Sequence, residues 1–123
     1  MVYPRLAGDR DSASAAPPQL FVGDSEVITD SAPALAAIAQ WEVCVLTATG
    51  VTPYVVATHA ALVPDKLVVS QVAVAIGEQC PYYSAAKLNH MLLVWPATVN
   101  TYALRKELVQ GSMIQIGHTN PPV

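Results

Sequence analysis

Apolar residues fall along the chain in runs of strand length, separated by Pro, Gly and short polar clusters. Residues 19–23 read as a short opening strand. Asp30 or Ser31 is a good N-cap, with Pro33 allowed in the first turn, so the Ala-rich run over 32–40 reads as a helix. Residues 41–47 are continuous enough in apolar character to be a strand buried on both faces. A turn around Gly50 and Pro53 follows, then a helix over 54–62 and a second turn at Pro64-Asp65. Residues 66–76 read as one strand or two short ones, and 82–88 as a short helix. The run Met91-Leu-Leu-Val-Trp95 reads as the next strand. It breaks at Pro96 and restarts as a helix from about Ala97 to Gln110, stopped by Gly111. Residues 112–116 and a Pro-containing tail finish the chain, and no internal repeat is visible.

This alternation of strand and helix predicts an α/β fold: a three-layer, Rossmann-like (flavodoxin-like) parallel sheet with helices on both faces. Residues 91–101 are then its most informative stretch. In open α/β sheets, ligands bind beyond the carboxyl ends of the strands, where a new helix offers free N–H groups. Asn100 and Thr101 would face that crevice. The Ser-, Ala- and Pro-rich residues 1–18 read as a flexible arm, and 19–123 as a single domain.

Composition changes the picture in one respect. Of 123 residues, 53% are hydrophobic and only 12% charged, and the mean hydropathy is positive at +0.39. So few charges leave a small domain's surface poorly covered, which points to burial against other subunits. No apolar stretch reaches the roughly 18–20 residues of a spanning helix, and the N-terminus lacks a signal-type apolar core, so a cytoplasmic protein is expected. The net charge of −3 with no basic cluster gives nucleic-acid binding no electrostatic support. Cys44 reads as a small core residue, and Cys44 with Cys80 makes neither a disulfide framework nor a metal site. His59, His90 and His118 show no metal spacing.

Pro96-Ala-Thr-Val-Asn-Thr101 resembles the Pro-Ala-Ser-Ala-Asn-Thr motif of the homo-oligomeric flavin-containing cysteine decarboxylases, a family that includes phosphopantothenoylcysteine and lanthipeptide-type peptidyl-cysteine decarboxylases. The preceding Leu92-Leu-Val-Trp95, the following helix to Gly111, residues 43–47 with Gly50 and Pro53-Tyr54, and residues 20–23 resemble the family's other elements more weakly. The resemblance implies a flavoprotein that binds FMN and oxidatively decarboxylates a cysteine, at the C-terminus of a peptide substrate, to an aminoenethiol. It implies a homo-oligomer, a trimer or a multiple of trimers. Carried over residue by residue, Asn100 would hold the substrate carboxylate and the flavin edge. Pro96, Ala97 and Thr98 would line the flavin, Thr47 would face it from the second strand, and Ser25 would bind its phosphate. The family's catalytic His falls at Tyr82, an ordinary phenol being a poor base at neutral pH, and Asp24 and Glu26 flank Ser25 where the family has a Gly-Ser turn. These departures admit a second reading: a degenerate, non-catalytic member that acts as a structural or regulatory partner of another decarboxylase or pathway enzyme, in a homo- or hetero-oligomer. Neither reading calls for a membrane or nucleic acid.

Overall fold

The structure, a computed structural model, describes residues 19–23, 26–56 and 66–117. The arm expected over 1–18, Ser25, and residues 57–62 of the expected second helix lie outside them. The described elements are β1 (Ile28–Pro33), β2 (Val43–Leu46), β3 (Val51–Pro53), β4 (Leu67–Ser70), β5 (Gln79–Asn89), α1 (Tyr102–Val109) and β6 (Ile114–Gly117). The strands form one sheet in the order β1-β5-β4-β2-β3, with β6 on the second half of β5. Every named pairing is antiparallel except β5 with β6.

The three-layer Rossmann-like parallel sheet is therefore not the fold. Two of its expected helices, over 32–40 and 82–88, are extended instead: Ala32 and Pro33 end β1, and 82–88 lie inside β5. The expected strand over 91–95 is a turn followed by a single bridge from Val94 to Glu42. The expected strand over 66–76 ends at Ser70. The opening strand is reduced to one bridge, Phe21 to Leu88. The strand expected over 41–47 is present as Val43–Leu46; the helix expected from about Ala97 begins only at Tyr102, but it does end before Gly111, which has φ +87°.

The apolar runs that suggested a parallel sheet are buried on both faces for another reason. Val43, Leu67 and Val69 project into one core cluster with Ala86, Leu88, Leu93, Val109, Ile114 and Ile116, so α1 and β6 cover that face. Their neighbours Cys44 and Val68 project into a second cluster with Ala34, Ile38, Val51, Cys80 and Tyr82. A strand alternates its side chains between faces, so two cores make it apolar throughout.

The second face is closed by an internal repeat that the sequence hides. Residues 34–44 and 70–80 follow the same path, each position matching the one 36 further on. Ile38 and Val74 exchange backbone hydrogen bonds of 3.0 and 2.9 Å. Ala34 N–H donates to Glu78 O while Ser70 N–H donates to Glu42 O; Gly77 N–H donates to Ala34 O while Trp41 N–H donates to Ser70 O. In each copy a glutamate closes the turn, Glu42 Oε1 accepting from Ala39 N–H at 2.8 Å and Glu78 Oε1 from Ala75 N–H at 2.7 Å. The third turn position requires the left-handed region in both copies: Gly77 has φ +86° and Trp41 φ +59°. Glycine adopts this freely, whereas another residue costs roughly 1–2 kcal/mol. Trp41 offsets that cost by packing against the first core cluster. Only Ala37/Ala73, Ala39/Ala75, Glu42/Glu78 and Cys44/Cys80 are identical between the copies, which is why the repeat escapes sequence inspection.

Ser70 is fully buried and ties β4 to the first turn, donating to Ala39 O at 2.6 Å and accepting from Glu42 N–H at 3.0 Å. Ser70→Ala leaves those groups short of a partner and is expected to cost about 1–3 kcal/mol in denaturant unfolding. Gly77→Ala meets nothing within 4 Å, so its expected loss is the conformational ~1–2 kcal/mol alone. Gly50→Ala drives its Cβ into the Pro33 carbonyl oxygen, and the same assay should show a clearly larger loss than for Gly77→Ala.

Candidate functional site

Residues 90–101, where the sequence placed its candidate site, connect β5 to α1. The chain reverses at the end of β5, where Asn89 Oδ1 accepts from Met91 N–H at 3.1 Å and Asn89 O from Leu92 N–H. Leu93 turns inward to the first core cluster, while Met91 is 70% exposed. Val94 exchanges backbone bonds with Trp41 and Val43. Pro96 to Val99 form a tight turn, Val99 N–H donating to Pro96 O at 2.9 Å. Thr101 is the N-cap of α1: its hydroxyl accepts from Leu104 N–H at 3.2 Å, which satisfies one of the donors a helix start leaves open.

Arg105 gathers this connection. Its Nη1 donates to His90 Nδ1 at 3.0 Å and its Nε to Val99 O at 3.2 Å. Its guanidinium carbon lies 5.4 Å from the Trp95 ring centroid, within cation–π range. Trp95 Nε1 donates to His90 O at 2.8 Å, and the rings of His90 and Tyr102 meet edge-on at 4.7 Å. A guanidinium can only donate. His90 Nδ1 is therefore the acceptor, and the imidazole beside it is neutral. His90 is buried at 5% exposure. Sequence reasoning passed over this cluster because Arg105 and His90 are 15 residues apart and acquire each other only when α1 docks.

The residues expected to form a flavin and substrate pocket have separate places. Asn100, Ala97 and Thr98 are exposed on the turn, and Pro96 is half-buried in it. Thr47 closes the β2–β3 hairpin, its Oγ1 donating to Gly50 O at 2.9 Å and accepting from Gly50 N–H. Tyr82 is buried in the second core cluster, opposite Asp30 of β1. Burial first, then the Asp30 and Cys80 charges, push its phenol above the ordinary value, further from a usable base. The Cys44 thiol is pushed up by burial, then by Glu42 and Cys80, and burial raises Cys80, so neither is activated as a nucleophile. Ser25 lies outside the described residues. Among the described residues no group of three His, Cys, Asp or Glu side chains could hold a metal.

The helix start assigns different weights to the two neighbours the sequence singled out. Thr101→Ala should cost about 1 kcal/mol through loss of the cap, and Asn100→Ala, at an exposed position, less than about 0.5 kcal/mol, both read from denaturant unfolding. Searched against known proteins, the chain matches no family model and has no significant match among curated proteins.

Proposed function

We propose that this chain is a non-catalytic structural module that works as an oligomer of its own copies. The observation that carries this is its surface. Among the described residues Ile76 and Met91 are 70% exposed and Met113 60%, and nine further large apolar side chains, among them Phe21, Val72 and Leu104, are exposed. Scattered apolar residues are ordinary on a protein surface. Here they accompany a charged content of 12%, and part of that charge is already committed: Glu42 and Glu78 to their turns and Arg105 to the connection before α1. A second copy of the chain is the partner that matches such a surface, since apolar patches on identical subunits cover one another in a closed assembly. The polar residues once assigned to chemistry also have structural work, Thr47 in a hairpin and Tyr82 in a core. Among the described residues no helix is long and apolar enough to cross a membrane, and two buried free thiols suit the cytoplasm, where thiols stay reduced.

Flavin-dependent decarboxylation of a peptide cysteine is the rival. It rests on the likeness of residues 92–111 to the flavin-containing decarboxylases; the parallel-sheet crevice that would have carried it is not formed. A degenerate member partnering a decarboxylase rests on the same likeness.

Sedimentation of the purified chain at micromolar concentration should give a discrete multiple of 13.0 kDa. At least one of Ile76→Lys, Met91→Glu and Met113→Glu should shift it to the monomer with the fold intact by circular dichroism. A monomer at tens of micromolar overturns the proposal. Yellow protein with oxidised-flavin bands, or uptake of added FMN, would favour the rival.

A further inference from the structure

We propose that Met91 and Met113 are sites of peroxide oxidation that react ahead of both cysteines, and that sulfoxide formation there releases the assembly of copies. The sulfur atoms of the described residues divide into two classes. Cys44 and Cys80 are free thiols at 0% exposure, enclosed in the second core cluster. Met91 and Met113 are 70% and 60% exposed. A cysteine reacts as its thiolate, and its oxidation follows thiolate character and access. Cys44 and Cys80 have neither. Burial raises both thiols, and each stays a donor, Cys44 Sγ to Glu42 O at 3.3 Å and Cys80 Sγ to Pro81 O at 3.6 Å. A thioether has no proton to lose, so access alone governs its reaction. The usual order of sulfur reactivity is thereby inverted.

The backbone builds this exposure in. Met91 N–H donates to Asn89 Oδ1 at 3.1 Å in the reversal after β5, between the buried His90 and the inward-facing Leu93. Met113 lies between Ser112, whose hydroxyl donates to Val109 O at 2.6 Å and accepts from Ile114 N–H, and Ile114, which is buried in the first core cluster. Side chains alternate between faces along a strand, so an inward Ile114 turns Met113 outward.

The step transfers one oxygen atom from hydrogen peroxide to the thioether. The O–O bond breaks, an S–O bond forms, the sulfur is oxidised by two electrons, and the remaining oxygen leaves as water with both protons. The product is polar and chiral where the side chain was apolar. The release rests on the reading that copies assemble through these exposed apolar side chains. Within such an assembly the thioethers are covered, so peroxide reaches them in dissociated chains, and the sulfoxide then opposes reassociation. Both methionines lie outside the strands and α1, so the fold survives their oxidation.

The test treats the intact chain with hydrogen peroxide near neutral pH, following its sulfurs by peptide mass mapping and its size by sedimentation. One oxygen is expected on each of Met91 and Met113 while Cys44 and Cys80 remain free thiols. The chain should then sediment as a monomer with an unchanged circular dichroism spectrum. Oxidation should be slower at high chain concentration than at low. Removal of peroxide, followed by methionine sulfoxide reductases for both epimers with a thiol reductant, should restore the original size. Oxidation of either cysteine ahead of the methionines overturns the proposal, and so does a rate indifferent to chain concentration. An assembly that keeps its size with both sulfoxides in place overturns the release and leaves the proposed assembly standing. A chain that is monomeric before any peroxide is added overturns the assembly itself, and the release with it.

Discussion

The clasp between the two glutamate-closed turns is the constraint on which the rest of the molecule depends. Ile38 and Val74 pair back to back, and each copy's incoming strand is hydrogen-bonded to the other copy's turn. The result is an exchange of strands: β1 pairs with β5, and β4 with β2, so each half's first strand joins the other half's second. The remaining pairings, β2 with β3, β4 with β5 and β5 with β6, each lie within one half, so the exchange is what joins the two halves. Long-range backbone bonds of this kind are made only after loop closure, which places the clasp at the cooperative centre of the fold. The left-handed residue in each turn is the local requirement that the clasp imposes, met by Gly77 without strain and by Trp41 through packing.

From the clasp follows the doubling of the core. Because the exchanged strands are wrapped by β1 and the turns on one face and by α1 and β6 on the other, β2 and β4 have no solvent side. Polar side chains admitted to this interior are tied to backbone. Ser70 joins β4 to the first turn, and Gln71 Nε2 donates to Tyr82 O at 3.2 Å. Buried polar groups are stable only when satisfied, so these residues read as joints of the framework.

Outside the interior the chain has little charge left, and its apolar side chains remain at the surface over Phe21, Val72, Ile76, Met91 and Met113. Low charge and exposed apolar area are two views of one fact, and together they are what the proposed assembly with further copies rests on.

The sequence by itself determined what depends on neighbours in the chain. The apolar run at 43–46, the Gly50 turn, the helix halted at Gly111 and the burial of Cys44 are all legible, because turn chemistry and unbroken apolar character are local signals. Partner-dependent features were not legible. Ala34 to Ala39 has strong helix propensity, but that preference amounts to tenths of a kcal/mol per residue, less than the burial of Ala34 and Ile38 against a segment 36 positions away. Residues 82–88 likewise surrender a helical composition to β1, β4 and β6 on either side. The Pro96–Thr101 turn kept its sequence likeness to a flavin site and lost its setting, because Val94 meets Glu42 in one bridge instead of joining a parallel sheet. Two-faced burial looks the same in a sequence whether helices or an exchanged strand provide it. Only the tertiary structure decides between them, since the deciding hydrogen bonds join residues that the chain keeps far apart.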